Sequence, residues 1–112
     1  MSRPHLNRAL ILETPQRVSD GAGGFVESWQ PLGTLWAEVR ARTGRETAQS
    51  GAAVSRMAFK ITVRAAPQGA PARPTAQQRF REGARIFTIQ AVAETDSAGR
   101  YLTCFAQEET AV

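Results

Sequence analysis

The side chains that most often carry enzymatic chemistry are few and scattered in this sequence of 112 residues. His5 is the single histidine and stands near the start of the chain, and Cys104 is the single cysteine and lies within an apolar run. One cysteine excludes an internal disulfide, and an apolar setting is typical of a small core residue. Acid–base or zinc chemistry needs a recognisable grouping of histidines, cysteines or carboxylates. We therefore predict no catalytic residue, no bound metal and no cofactor, and we do not expect an enzyme.

Two further patterns look like functional motifs but have simpler explanations. The ten carboxylates show no paired motif, and Asp20 and Asp96 stand in turn sequences, where aspartate caps its own backbone. Residues 21–24 are rich in glycine, but a phosphate-binding loop would be followed by a Lys-Ser or Lys-Thr pair and a helix. A hairpin turn accounts for these glycines.

Basic residues give the strongest chemical signal. The chain has a net charge of +4, and 13 of its 14 basic residues are arginine. Residues 40–64 alone carry a net charge of +5, because Glu46 is their only acid. A solvated surface, a surface that contacts phosphate, and a set of salt bridges to a neighbouring subunit all fit this charge. Contacts with phosphate would be independent of base sequence and sensitive to salt. The candidate DNA-facing residues are Arg40, Arg42, Arg45, Arg56, Lys60 and Arg64.

A second set of candidates suits an interface between proteins. Tryptophan is enriched at binding hot spots, and Trp29 and Trp36 stand close together in the sequence, although packing at the end of a barrel would also explain them. Arg79 and Arg81 belong to a smaller basic cluster that is opposed by Glu82. We predict that Trp29, Trp36, Arg79 and Arg81 contact a second subunit or a partner.

Apolar residues alternate with a period of two along most of the chain, which predicts β-strands. Pro31 is expected to end the second strand, because proline cannot donate to a β-ladder. Such closely spaced strands predict an all-β fold, a small antiparallel β-barrel of about six strands. Residues 43–55 are predicted to form a long mobile loop after the third strand, and residues 65–74 a proline-rich loop. The predicted strands are residues 6–14, 25–30, 35–42, 57–64, 85–93 and 100–107, with a short strand or helical turn at residues 75–81.

The length predicts a single domain over residues 1–112, with its core in residues 6–107. No apolar run approaches the ~20 residues of a membrane-spanning helix. The N-terminus lacks the hydrophobic segment of a secretory signal. We therefore expect no membrane partner, and a protein that is made and assembled in the cytoplasm.

Several short sequences follow one another in a recognisable order. They are Leu6-Asn7-Arg8, the turn at residues 20–24, Glu27-Ser28-Trp29, residues 35–39, Gly44-Arg45-Glu46, residues 59–64 and residues 83–92. In this order they resemble the phage head–tail joining proteins, which are also called head closure or stopper proteins. The resemblance covers residues 6–107.

The resemblance implies a structural virion protein. Its six or twelve copies would form a ring below the portal and its adaptor, with a tail terminator or tail tube on the other side. The ring would close the DNA exit and dock the tail, with the loop at residues 43–55 projecting toward the central channel. Arg42, Arg45 and Arg56 are expected to make non-specific contacts with packaged double-stranded DNA. The particle would be a phage, a prophage product or a gene transfer agent, assembled in the bacterial cytoplasm.

Two other functions remain open on the sequence. Another small tail-side connector, such as a tail terminator, would use a similar β-scaffold. A stand-alone nucleic-acid-binding β-barrel would need aromatic residues on a basic strand face for base stacking. Here Phe59 and Phe87 fall on apolar registers instead.

Overall fold

A computed structural model describes residues 3–49 and 52–111, with the side chains of residues 43–49, 52–55 and 111 outside the description. All neighbouring strands are antiparallel, and the strand order β1-β2-β3-β6-β5-β4 closes on itself as a barrel. The predicted all-β antiparallel barrel is therefore confirmed. None of the described residues belongs to a helix that is long and apolar enough to cross a membrane. The strands are β1 (Arg8–Ser19), β2 (Phe25–Gln49), β3 (Ala52–Arg64), β4 (Arg79–Glu82), β5 (Arg85–Glu94) and β6 (Tyr101–Ala111).

The barrel core is built from alternate residues of the strands, because successive side chains of a strand point to opposite faces. Phe59 and Phe87 pack against each other within it, edge to face, with their ring centroids 5.2 Å apart. Full burial of each large apolar side chain stabilises the fold by about 1.5–3 kcal/mol. The core residues are Leu10, Leu12, Ala37, Phe59, Ile61, Val63, Phe80, Phe87, Ile89, Leu102, Cys104 and Ala106.

Strand β2 departs most from the sequence prediction. The segments predicted as separate second and third strands form one continuous strand, so the prediction that Pro31 ends a strand is wrong. Pro31 stands opposite Glu13, beside a bulge where the β1–β2 register skips Leu32. A proline without an N–H is tolerated at such a bulge. Gly33 follows with a φ of 146°, a conformation that favours glycine.

Strand β2 also bends around the barrel. Its 25 residues would span about 80 Å as a straight strand, whereas the longest dimension of the molecule is 51 Å. A second bulge lies in its far half, where the β2–β3 register skips Arg42 between Ala41 and Thr43. Bulges increase the local twist and bend of a strand.

The described residues of the segment 43–55 form paired strands, so the prediction of an irregular loop here is wrong. Residues 43–49 pair in register with residues 52–58, and residues 50 and 51 lie outside the description. Strand β6 continues alongside, with Ala111 opposite Val54, so it extends beyond residue 107, where the last predicted strand ends. The small and polar residues of this segment hide the alternation that reveals a strand, but they do not prevent backbone pairing.

The predicted hairpin between β1 and β2 is confirmed. The Asp20 carboxylate accepts hydrogen bonds from the backbone N–H groups of Ala22 and Gly24, at 2.8 and 3.1 Å. Gly21 and Gly23 have positive φ angles of 81° and 85°, which other residues adopt only with strain. This compact turn holds the tip of the hairpin in one conformation.

Candidate nucleic-acid interface

The predicted DNA-facing residues lie along the ladder between β2 and β3. The register places Arg40 opposite Lys60, and Arg45 opposite Arg56. Like charges directly opposite each other destabilise a β-ladder, so the stability of the fold does not explain these pairs. We call Arg40, Arg42, Arg45, Arg56 and Lys60 the basic ribbon.

Three side chains of the basic ribbon meet on the outer face of the barrel. The Arg40 side chain is 70% exposed, and its guanidinium lies 3.2 Å from the Glu38 carboxylate. Lys60 is exposed on the neighbouring strand. Arg42, at the bulge, stacks its guanidinium over the Phe105 ring at 5.2 Å from the centroid. The result is a cationic surface across β2, β3 and β6.

A cleft of about 270 Å³ opens beside this surface. The backbone N–H of His5 donates to the Glu38 carboxylate at 2.9 Å, which holds the N-terminal segment over the sheet and brings Arg3 to the cleft. Cations next to hydroxyl groups suit an anionic oxygen such as that of phosphate. Arg3 was not among the residues predicted from the sequence, because no local pattern links it to a distant strand. The lining residues are Arg3, Pro4, Glu38, Arg40, Lys60, Thr62, Thr95 and Thr103.

The remaining predicted DNA-facing residues lie apart from this surface. The Arg56 guanidinium is 3.5 Å from the Glu109 carboxylate. Arg64 stacks over the Tyr101 ring at 5.9 Å, and four residues of strand separate it from Lys60 by about 13 Å. The side chain of Arg45 lies outside the described residues. The structure therefore brings together three of the six candidates. Arg56 and Arg64 lie on β3 four residues before and four residues after Lys60.

Two predicted interface residues, Arg79 and Arg81, bind an acid within the same chain. The buried carboxylate of Glu13 accepts a hydrogen bond from Arg79 Nε at 2.7 Å and from Arg81 Nε at 3.0 Å. Burial acts to raise the pKa of Glu13, but these hydrogen bonds outweigh it and hold the pKa below its usual value. The three side chains join β1 to β4, the pairing that completes the closed sheet. We call Glu13, Arg79 and Arg81 the seam.

The predicted interface tryptophans have different surroundings. Trp29 is half-buried, and the Arg79 guanidinium stacks 4.0 Å from its ring centroid. Trp36 stands on the outer face of the barrel and is 59% exposed. Contacts within one chain do not test whether these four residues also meet a partner, so the interface remains a prediction.

Other arginines outside the basic ribbon also have acidic partners. Arg8 donates two hydrogen bonds to Glu82, which holds the pKa of this carboxyl below its usual value. Arg85 donates to both carboxylate oxygens of Glu108, at 2.8 and 2.9 Å, and stacks over Phe87. The positive charges of Arg8 and Arg85 are therefore balanced by carboxylates of the same chain.

Within the described residues, no group of three or more histidine, cysteine, aspartate or glutamate side chains could hold a metal ion. Cys104 is fully buried, and burial raises the pKa of its thiol to about 12. The thiol is therefore neutral at physiological pH and shielded from reagents.

Together, these features define a class of small antiparallel β-barrels whose outer surface carries a patch with more basic than acidic side chains. The family model described as the phage head completion protein matches residues 1–109. The chain belongs to this family, which confirms the resemblance seen in the sequence.

A solved structure supports the same assignment. A chain of the "Virion of native gene transfer agent (GTA) particle" is 55% identical to this protein, with a TM-score of 0.89. The match covers 98% of this chain and 100% of that chain. No curated protein matches the sequence. Membership in the family supports a structural role in a virion, at the junction of head and tail.

Proposed function

We propose that this protein is a non-enzymatic subunit of the head–tail junction of a phage-like particle. Six or twelve copies form a ring that meets the portal and adaptor on the head side and the tail terminator or tail tube on the other. The ring closes the DNA exit and docks the tail. Family membership supports the role in a virion, and the similarity to a virion chain supports a particle of the gene transfer agent type.

The basic ribbon carries the part of the proposal that concerns DNA. Arg40 and Lys60 stand opposite each other, and Arg42 lies beside them, with Glu38 as the acid next to Arg40. A symmetric ring repeats this surface in every copy and so multiplies its positive potential. Such a surface attracts packaged DNA regardless of base sequence.

Double-stranded DNA suits this kind of surface because it carries one negative charge per ~1.7 Å of its axis. Each cation of the ribbon therefore finds a phosphate at any register of the duplex. Each phosphate contact should contribute about 0.9 to the slope of log affinity against log salt concentration. Contacts from Arg40, Arg42 and Lys60 would thus weaken steeply as salt increases.

The test uses particles that carry the triple variant Arg40→Glu, Arg42→Glu and Lys60→Glu. We expect these particles to assemble but to lose packaged DNA, measured as nuclease-protected DNA per particle. The matched control is Arg100→Glu, an exposed arginine in the turn before β6 and away from the ribbon. Full DNA retention in particles shown to contain the triple variant would contradict the proposed contact.

The place of the ring in the particle needs a separate measurement. Electron microscopy of particles with this subunit labelled should show the label between the portal and the tail. A label at the tail-side end of the junction would favour the alternative role of a tail terminator.

One observation favours a second function, a stand-alone nucleic-acid-binding barrel. Phe105 and Tyr101 lie half-buried on the same outer face as the basic residues. Aromatic rings beside cations can stack with unpaired bases. In this structure, however, the guanidinium groups of Arg42 and Arg64 already cover these rings. Filter binding by the purified protein separates the two functions, since tight binding to single-stranded DNA would favour the second.

A further inference from the structure

Exposed large hydrophobic side chains mark two separate places on the described part of the molecule. Val18, Phe25 and Val26 lie near the tip of the β1–β2 hairpin and are 51–61% exposed. Trp36 lies on the outer face of the barrel and is 59% exposed. Apolar patches that remain exposed on a folded protein often mark surfaces for other proteins.

The first place is a projecting ribbon, residues 16–28, which we call the apex. In the described pairing, β4 contacts β1 only at residues 11–13, and β3 joins β2 only from Ala37 onward. The apex therefore has two open faces, with Val18 opposite Val26 on one and Phe25 on the other. A two-stranded ribbon is marginally stable in water by itself, so the apex gains from a partner that covers it.

The second place is concave. A cleft of about 230 Å³ lies beside Trp36 on the outside of the barrel. Most of its lining is carbon, from alanine, leucine and tryptophan side chains, and Arg64 is its one charged lining residue. The lining residues are Leu35, Trp36, Arg64, Ala65, Ala66 and Ala72.

We propose that the apex of one copy docks into the Trp36 cleft of the next copy. The partner is a second copy of this chain, because one chain carries both a convex apolar tip and a concave apolar cleft. Their charges are also complementary: Asp20 and Glu27 outnumber Arg17 on the apex, which leaves it a net charge of −1, and Arg64 lines the cleft. The inference rests on the ring of the proposed function and specifies which surfaces join its subunits.

The positions of the two surfaces suit a ring. Ten residues of β2 separate Val26 from Trp36, up to about 33 Å along the strand, and pairing with β1 keeps this stretch extended. The apex therefore cannot reach the cleft of its own chain. A contact between two different surfaces is heterologous, and its repetition closes into a ring when the rotation between copies allows it.

Disulfide crosslinking of assembled particles tests this contact. We expect the double variant Val26→Cys and Ala66→Cys to give, after oxidation, a ladder of linked chains from dimer up to the closed ring. An internal disulfide is excluded, because a disulfide needs Cα atoms within about 7 Å. The native Cys104 is buried and does not compete.

Three control variants define the result. Each single cysteine variant should give no ladder, and neither should Val26→Cys combined with Thr88→Cys, since Thr88 is an exposed residue of β5. Particles that contain the double variant but give no ladder, or a ladder equal to that of the Thr88 control, would overturn the inference alone. Absence of the chain from wild-type particles would instead overturn the proposed function.

A charge exchange gives a second test that needs no cysteine. Glu27→Arg and Arg64→Glu each place like charges at the proposed contact, so each should reduce incorporation into particles by about tenfold or more. The double exchange should restore incorporation, because it re-forms the pair in reverse. Single variants that incorporate normally, or a double variant that stays as defective as the singles, would overturn the inference.

Discussion

The seam and the basic ribbon use the same residue type in opposite ways. At the seam, Arg79 and Arg81 share the carboxylate of Glu13, which is only 4% exposed. On the ribbon, Arg40 faces another cation, Lys60, and its side chain is 70% exposed. The seam arginines hold two strands of the barrel together, whereas the ribbon cations leave positive charge at the surface. An arginine-rich sequence thus contains two populations, one paired with a buried acid between strands and one exposed beside other cations, and only three-dimensional pairing separates them.

The largest effect should come from Glu13→Gln. This change leaves Arg79 and Arg81 without their acid, and we expect a loss of about 2–3 kcal/mol in the free energy of unfolding. Urea denaturation at pH 7 measures it. Glu94→Gln, at an exposed acid, is the control and should change the value by less than ~0.5 kcal/mol. If the Glu13 variant were as stable as this control, the seam arginines would not hold the two strands together, and they would not differ from the ribbon cations in this respect.

Acid should remove the contribution of the seam in the wild-type protein. The folded pKa of Glu13 lies below its usual value, so its stabilisation is complete above the unfolded pKa, about 4.3. It is lost as the pH falls through the folded pKa. We therefore expect the difference in melting temperature between wild type and Glu13→Gln to shrink as the pH is lowered from 5 to about 2. A difference that stays constant over this range would contradict the assignment.

A smaller effect is expected for the ion pair at Arg8 and Glu82. Both side chains are about one-third exposed, at 30% and 31%, so solvent screens their attraction. Glu82→Gln should cost about 0.5–1 kcal/mol, and the cost should decrease in high salt. Denaturation curves in low and high salt measure both values. A loss as large as that of Glu13→Gln would show that burial does not set the difference between the two sites.

The smallest effect on stability should come from the ribbon. Arg40→Gln with Lys60→Gln removes two like charges that face each other, so the free energy of unfolding should change by less than ~0.5 kcal/mol or rise slightly. Denaturation in low salt is the most sensitive measurement, because screening is weakest there. A clear loss of stability would give the ribbon a structural role instead.

Sequence patterns predicted the features that depend on near neighbours. Alternation located most strands, and the Asp20 turn located the first hairpin. The expectation that proline ends a strand failed at Pro31, where a bulge lets the strand continue, and alternation failed in residues 43–55, where small side chains conceal the pairing. Both outcomes depend on pairing with a neighbouring strand, and a pattern of adjacent residues carries no information about that partner.

The candidate site shows the same limit. The concentration of cations in residues 40–64 was visible in the sequence. The link between Glu13 and Arg79 was not, because 66 positions separate the two residues. Arg3 and Lys60 line the same cleft, where a backbone hydrogen bond from His5 to Glu38 holds the N-terminal segment. Such long-range contacts follow from the fold of the whole chain rather than from any motif.

The single strand β2 has a mechanical consequence. Phe25 at its start, Trp36 near its middle and Arg40 beyond it belong to one unbroken backbone. We therefore expect a displacement of the hairpin tip to reach the cationic surface through planar peptide units that are anchored by ladder hydrogen bonds. The bulges at Leu32 and Arg42 interrupt that ladder, so they are the compliant points. We therefore expect bending of β2 to concentrate at these two bulges rather than within its regularly paired stretches.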